Sequence, residues 1–254
     1  LPVIGALLQM LRHRRHFIWE MDVFPDALTD VGMVKPGSLP VRILGKISDW
    51  ARGRADGVIA LGECMRQKLI ARGVDGDKIL VADNWADGGE IRPVERAEDG
   101  PVRILYSGNL GLTHEIRTIQ EALMKLRNDP GFAWRFVGGG PRSRELAEWC
   151  EREGMDRVSF APYCRRDEMT QNLAWGNVGL VTQKTGCLGT VVPSKVYGLM
   201  AAGLPILYIG PGEATPAGII RRFQCGWHVE CGEGEALVQL LERLRWDREE
   251  VRSA

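Results

Sequence analysis

An α/β protein built on parallel sheets is the fold class this sequence predicts, and three observations carry it. Short apolar runs alternate with amphipathic stretches along nearly the whole chain, which is the pattern of strands joined by crossover helices. A polar stretch at 83–100, rich in Gly, Asp and Glu, interrupts the alternation, and the alternation then restarts. About six strand–helix units follow that stretch, a full doubly wound domain, and about three precede it. The expected organisation is therefore an incomplete Rossmann-like domain with its linker over 1–95, then a complete one over 96–254.

In order, Leu1 to Leu11 is apolar and ends in the cluster Arg12, His13, Arg14, Arg15 and His16. It is too short to cross a bilayer. Its basic cluster follows the apolar part, the reverse of a signal peptide. Two readings stay open: a core helix with cations at its C-terminus, or a helix resting on an anionic membrane surface. Phe17–Val23 is an expected strand closed by Pro25. Leu39–Arg54 has helical spacing at Val41, Leu44, Ile47 and Ala51. Gly57–Leu61 is a strand, Glu63–Arg72 a helix stopped by Gly73, and Lys78–Ala82 a strand.

Past the linker the expected strands are Val102–Tyr106, Trp134–Val137, Val158–Pro162, Val178–Thr182, Ile206–Ile209 and Trp227–Glu230. The expected helices are Glu115–Arg127, Arg142–Glu153, Asp167–Trp175, one opening at Pro193, Thr215–Arg222 and Glu233–Arg245. Pro193 suits a first helical position, which needs no N–H. Val196–Ala202 is apolar nearly all round, so its helix should be buried.

Lysine and arginine number 33 and so do aspartate and glutamate, so no global field attracts nucleic acid. Six scattered cysteines form no CxxC pair, which reads as reduced thiols in a cytoplasmic protein. The Asp75-Gly76-Asp77 triplet matches a metal-binding pattern of sugar transferases, yet stands where Asp/Gly turns are common. No Walker loop, Gly-x-Ser-x-Gly elbow or His-Glu-x-x-His motif occurs.

Ligands of a doubly wound sheet bind at the carboxyl ends of its strands. Four loops there stand out: Ser107–His114 with Gly108, Asn109 and Gly111; Gly138-Gly139-Gly140-Pro141; Pro162–Arg165 with Tyr163; and Gly186–Lys195, which delivers Ser194 and Lys195. Glycines let the backbone approach a ligand closely, and Ser143 spoils the dinucleotide fingerprint that a third glycine would complete. Lys195 in a first helical turn opposes the macrodipole, so it either extends into solvent or meets an anion. Together the loops describe a nucleotide-diphosphate site, with the glycines and Lys195 for phosphates and the Tyr163 region for a base. His114 ends the first glycine loop, where a cap or surface role suffices.

YSGNLG at 106–111, FVGGGP at 136–141 and VVPSKVYGLMAAGLPIL at 191–207 together resemble glycosyltransferase family 4, in the branch that builds bacterial exopolysaccharide and O-antigen. The segments at 19–34, 55–74 and 83–93 are similar to the same branch. The resemblance implies a GT-B fold, whose two Rossmann-like domains include a C-terminal one that holds a nucleotide-sugar donor, usually UDP-linked. It implies retaining transfer without a bound metal or other cofactor. Gly108, Asn109, Gly111, Gly138, Gly140, Tyr163, Ser194 and Lys195 would contact the donor. Lys195 would also be catalytic, by offsetting charge on the departing UDP. Asp22 and Asp26 would face the acceptor, a glycan or a sugar on a polyprenyl diphosphate. The enzyme would be cytoplasmic, with a peripheral contact at the inner face of the plasma membrane as an option.

Leu188 and Gly198 depart from the family, which often has acidic residues there. The first half of the acceptor domain, with its active-site histidine, is expected to be absent. The alternatives are a nucleotide-sugar-binding fragment, one half of a split transferase or, further off, a UDP-sugar 2-epimerase.

Overall fold

A computed structural model describes residues 2–93, 95–96 and 99–254. Leu1 and, within the expected linker, Val94, Ala97 and Glu98 lie outside the described residues. The chain divides into two compact units. Unit 1 holds residues up to Asn84 together with Gly186–Val192 and Glu213–Thr215, and unit 2 holds the rest from Trp85. The expected boundary at 95/96 thus falls inside unit 2, and two later segments pack with unit 1.

Unit 1 contains a parallel sheet in the order β1 (Phe17–Trp19), β2 (Gly57–Ala60), β3 (Ile79–Val81). Its helices are α1 (Pro2–Arg12), α2 (Asp26–Asp30), α3 (Leu39–Arg54) and α4 (Glu63–Ala71). Ile18, Val58, Ala60, Met65, Leu69 and Ile79 form its core. β1 ends earlier than expected. Beyond it Asp22 makes an isolated antiparallel bridge to Val191, so the segment through Val23 does not continue as a strand of the sheet. α2 was not expected; five residues are too few to show a helical period. In α1 Ala6 is buried while Ile4, Leu7, Leu8 and Leu11 are exposed, which departs from an ordinary core helix. Asp75 accepts a hydrogen bond from the backbone N–H of Asp77 at 3.0 Å, an Asx turn ahead of β3.

Unit 2 is built on six parallel strands: β4 (Val102–Asn109), β5 (Phe132–Gly139), β6 (Val158–Ala161), β7 (Val178–Thr182), β8 (Ile206–Ile209) and β9 (Gly226–Val229). Their order is β6-β5-β4-β7-β8-β9, so the chain winds outward from β4 in one direction and then returns to wind in the other. The point of reversal, between β4 and β7, is where a crevice opens in such sheets. β7 and β8 are buried at every residue, as strands covered on both faces must be. The core joins Ile104, Tyr106, Trp134, Phe136, Leu180 and Leu207 to residues of α5 (Arg117–Lys125), α6 (Pro141–Glu153) and α10 (Gly234–Trp246).

α7 (Met169–Ala174), α8 (Lys195–Ala201), α9 (Thr215–Phe223) and α11 (Arg248–Ser253) complete the helices. α11 was not expected; Asp247 starts it by accepting from Glu250 N at 2.9 Å. α8 begins two residues later than expected, with Ser194 as its N-cap residue and Lys195 as its first. β4 and β5 run further than the apolar pattern implied. Ser107, Gly108, Asn109, Gly138 and Gly139 are strand residues, paired in register Gly108↔Gly138 and Asn109↔Gly139. The glycines read as loop because they lack side chains, yet that lack is what lets the two strand ends stay paired.

Candidate functional site

At the β4–β5 ends, close approach of backbone decides which residues fit. A Cβ built on Gly138, whose φ is +126°, would lie 2.2 Å from the Gly108 carbonyl oxygen. One on Gly140, at φ +112°, would lie 2.4 Å from that of Leu110. Only glycine avoids both the clash and the strain. The Tyr163 ring covers these strand ends, with its edge 3.2 Å from the Cβ positions of both Gly138 and Gly139. The residue is nevertheless 60% exposed.

Lys195 reaches this floor from the first position of α8. Its Cε occupies the space over Gly108, 2.6 Å from where a Cβ would stand. Its Nζ donates to the Asn109 carbonyl at 3.2 Å and lies 5.2 Å from the centre of the Tyr106 ring. No ion pair to Lys195 occurs among the described residues. Burial of the unpaired ammonium lowers its pKa to about 8. The side chain therefore does not extend into solvent, one of the two courses the sequence left open.

Beneath it lies a polar chain that sequence reasoning missed. Tyr106 Oη donates to the same Asn109 carbonyl at 2.7 Å and stands 3.3 Å from His114 Nε2. His114 Nδ1 lies 2.8 Å from the carbonyl oxygen of Thr182 and 3.1 Å from its Oγ1. His114 is thus buried and ties the β4 end to the β7 end, in place of the expected cap or surface role. Burial first, then the charge of Lys195, lowers its pKa to about 4 and keeps the ring neutral. Burial also raises the Tyr106 hydroxyl pKa. The one signal in the sequence is that His114 stands between Leu110 and Ile116, both buried.

The structure brings together Gly108, Asn109, Gly138, Gly140, Tyr163 and Lys195. Gly111 follows in the same loop, where a Cβ would stand 3.4 Å from Asn109 Nδ2. Ser194 is exposed and makes no side-chain capping bond. Asp22 and Asp26 belong to unit 1. Asp22 lines a groove of about 360 Å³ with Phe17, Trp19, Met21 and Phe24. Burial, then the nearby Glu20, raises its pKa. Asp26 accepts from Arg72 at 2.8 Å and pairs with Lys68 at 3.4 Å. No helix among the described residues is long and apolar enough to cross a membrane.

Chemically, the strand ends of unit 2 offer an unpaired cation, a bare glycine floor and an exposed aromatic ring. Comparison with known proteins gives the family and the fold. The family described as glycosyl transferases group 1 matches residues 87–254. The chain is 28% identical over 248 residues to a Pseudomonas aeruginosa protein named as glycosyltransferase WbjE, covering 92% of this chain and 62% of that one. It is 26% identical over 215 residues to Escherichia coli K12 WcaI, named as a colanic acid biosynthesis glycosyl transferase, covering 78% and 51% respectively. It therefore spans less than two thirds of these relatives. Among solved structures, HepE from Anabaena, crystallised with UDP, superposes with a TM-score of 0.76 at 15% identity, over 99% of this chain and 68% of that one. That likeness gives the fold, an α/β fold of the GT-B type. On the extent of the family match, the chain belongs to the glycosyl transferases of group 1.

Proposed function

We propose that this chain binds a nucleotide-diphosphate sugar, with UDP as the nucleotide, and takes part in retaining transfer of the sugar to a glycan or polyprenyl-diphosphate-linked acceptor. The observation that carries the reading is Lys195. Its ammonium is partly buried at the reversal point of the sheet with a carbonyl and a ring as its neighbours and, among the described residues, no carboxylate to balance it. A diphosphate over Gly108 and Gly138 supplies the missing negative charge. As the sugar–phosphate bond breaks, charge grows on the departing UDP, and a fixed ammonium in a desolvated site favours that state over the ground state. Charge neutralisation of this kind calls for no metal. Tyr163 offers its exposed ring to the base, while Asn109, Gly111 and Ser194 border the phosphates.

The name of WcaI, a colanic acid biosynthesis glycosyl transferase, supports our assignment to cell-surface polysaccharide synthesis, the motifs at 106–111, 136–141 and 191–207 support family 4, and the HepE complexes with UDP and UDP-glucose support the nucleotide. Asp22, in its aromatic groove, is the acceptor-side residue we favour over Asp26, whose carboxylate is already held by Arg72 and Lys68. The exposed apolar residues of α1, followed by Arg12, Arg14 and Arg15, suit a peripheral contact with an anionic membrane, which would place the protein at a cytoplasmic membrane face.

Calorimetry with UDP, and with GDP and NAD as controls, tests the donor site. We expect selective UDP binding that falls about tenfold or more in Lys195→Ala, the loss of one charge-assisted contact. A folded chain that binds no nucleotide, or binds UDP equally well without Lys195, overturns the reading.

A further inference from the structure

We propose that Tyr106 and His114 are positioning residues for Lys195, fixing the carbonyl and the ring face on which its ammonium rests; the inference depends on Lys195 being the donor contact. One oxygen is the hub. The Asn109 carbonyl accepts both from Tyr106 Oη, at 2.7 Å, and from Lys195 Nζ, at 3.2 Å. A carbonyl with two lone pairs can serve both donors, and the shorter bond orients it for the longer one. Tyr106 itself is buried and supplies the π face under the ammonium. His114 stands edge-on to that ring, at 85° with centroids 5.7 Å apart, and its Nδ1 is held by Thr182 across the reversal point of the sheet.

The Tyr106 proton goes to the Asn109 carbonyl and the single proton of neutral His114 to Thr182, so His114 supports Tyr106 by edge-on ring contact and not by a further hydrogen bond. His114 stays neutral here, so it puts no second positive charge beside Lys195.

A double-mutant cycle on UDP affinity separates positioning from packing. Tyr106→Phe keeps the ring and loses the hydroxyl. We expect it to weaken UDP binding about fivefold, the worth of one hydrogen bond, and to have no further effect once Lys195→Met is present. His114→Leu should follow the same pattern, with most of the affinity recovered in His114→Gln, which keeps a donor toward Thr182. A loss of equal size in the Lys195→Met background, or no loss at all, overturns the proposal. So does an equal deficit in both His114 variants.

A nucleotide-free measurement keeps the two readings apart. In the pH titration of the Lys195 13Cε signal, the wild-type midpoint should lie near 8. In Tyr106→Leu, with no ring beneath the ammonium, it should fall lower. An unchanged or higher midpoint overturns the positioning role whether or not UDP binds. Failure of UDP to bind sinks the donor-site reading alone.

Discussion

Arg72 in unit 1 and Lys195 in unit 2 are both partly buried cations, and their surroundings are opposite. Arg72 grips Asp49 with two bonds, at 2.8 and 2.7 Å, and Asp26 with a third at 2.8 Å. Burial pulls its pKa down, but the hydrogen bonds to Asp49 and the charge of Asp26 outweigh burial and raise it. Lys195 has the burial and none of the carboxylates, so its pKa falls to about 8. A cation whose charge is answered inside the fold stabilises the fold. One whose charge is left unanswered costs stability, and the proposed donor role of Lys195 would account for its being kept. On that proposal the contrast between Arg72 and Lys195 is one between a structural and a functional charge.

The comparison breaks most severely at the fully buried pair next to Arg72. Arg52 donates from Nε to Glu20 at 2.6 Å, and both residues are 5% exposed or less. Arg52→Met leaves the Glu20 carboxylate buried without its partner. The expected cost is about 3–5 kcal/mol of unfolding free energy in urea. A loss below about 1 kcal/mol would mean that cations in unit 1 are no more structural than Lys195.

Gly108→Ala is next in size and acts within the site. Its φ of +129° disfavours any side chain, and the new methyl would meet Lys195 Cε at 2.6 Å. Strain of about 1–3 kcal/mol should appear in the same urea experiment. Lys195 can swing aside, so the change should also weaken UDP binding in calorimetry. A Gly108→Ala protein that binds UDP as the wild type does would show that Lys195 need not lie over this glycine.

The architecture was legible in the sequence because it follows from periodicity: buried parallel strands such as Val178–Thr182 and Ile206–Ile209 are continuous apolar runs. Lys195 was legible as an anomaly, a cation at the wrong end of a helix. The extension of β4 and β5 into their glycines was hidden, because the pairing of Gly108 with Gly138 is a relation between strands about 30 residues apart. His114 was hidden for the same reason. Its burial depends on Thr182, which reaches it only when the winding reverses and brings β7 beside β4. The partners of Asp26 were hidden too: it entered on the resemblance alone, and its ion pairs with Arg72 and Lys68 join residues far apart in the sequence.

A pH series sharpens the contrast between the cations without touching the fold. The pKa of Lys195 is lower folded, about 8, than its ordinary 10.5, so between these values the unfolded chain binds more protons. Stability contributed through Lys195 therefore rises with pH from about 8 to 10.5, and Lys195→Met should flatten that rise. Nucleotide affinity should move the other way. UDP binding should weaken as pH rises through about 8 in the wild type and stay level in Lys195→Met. A wild-type affinity constant from pH 7 to 9.5 would place the interacting charge elsewhere.

The smallest expected effect is at Gly111, and it tests whether glycines in this loop serve one purpose or several. Gly108, Gly138 and Gly140 have positive φ and would drive a methyl into Lys195 or into a backbone carbonyl. Gly111 does neither: its φ lies outside the range that excludes side chains, and the nearest atom to a new Cβ is Asn109 Nδ2 at an ordinary 3.4 Å. Stability of Gly111→Ala should stay within about 0.5–1 kcal/mol of the wild type, and a gain is allowed because alanine narrows the unfolded ensemble. If UDP affinity nevertheless drops, the loss must come from the space above the loop, where a phosphate needs room for its close contact with backbone N–H groups. Unchanged affinity would confine the donor's footprint to Lys195 and the three strained glycines. Calorimetry on this one folded variant thus separates a glycine kept for the ligand from glycines kept for the chain.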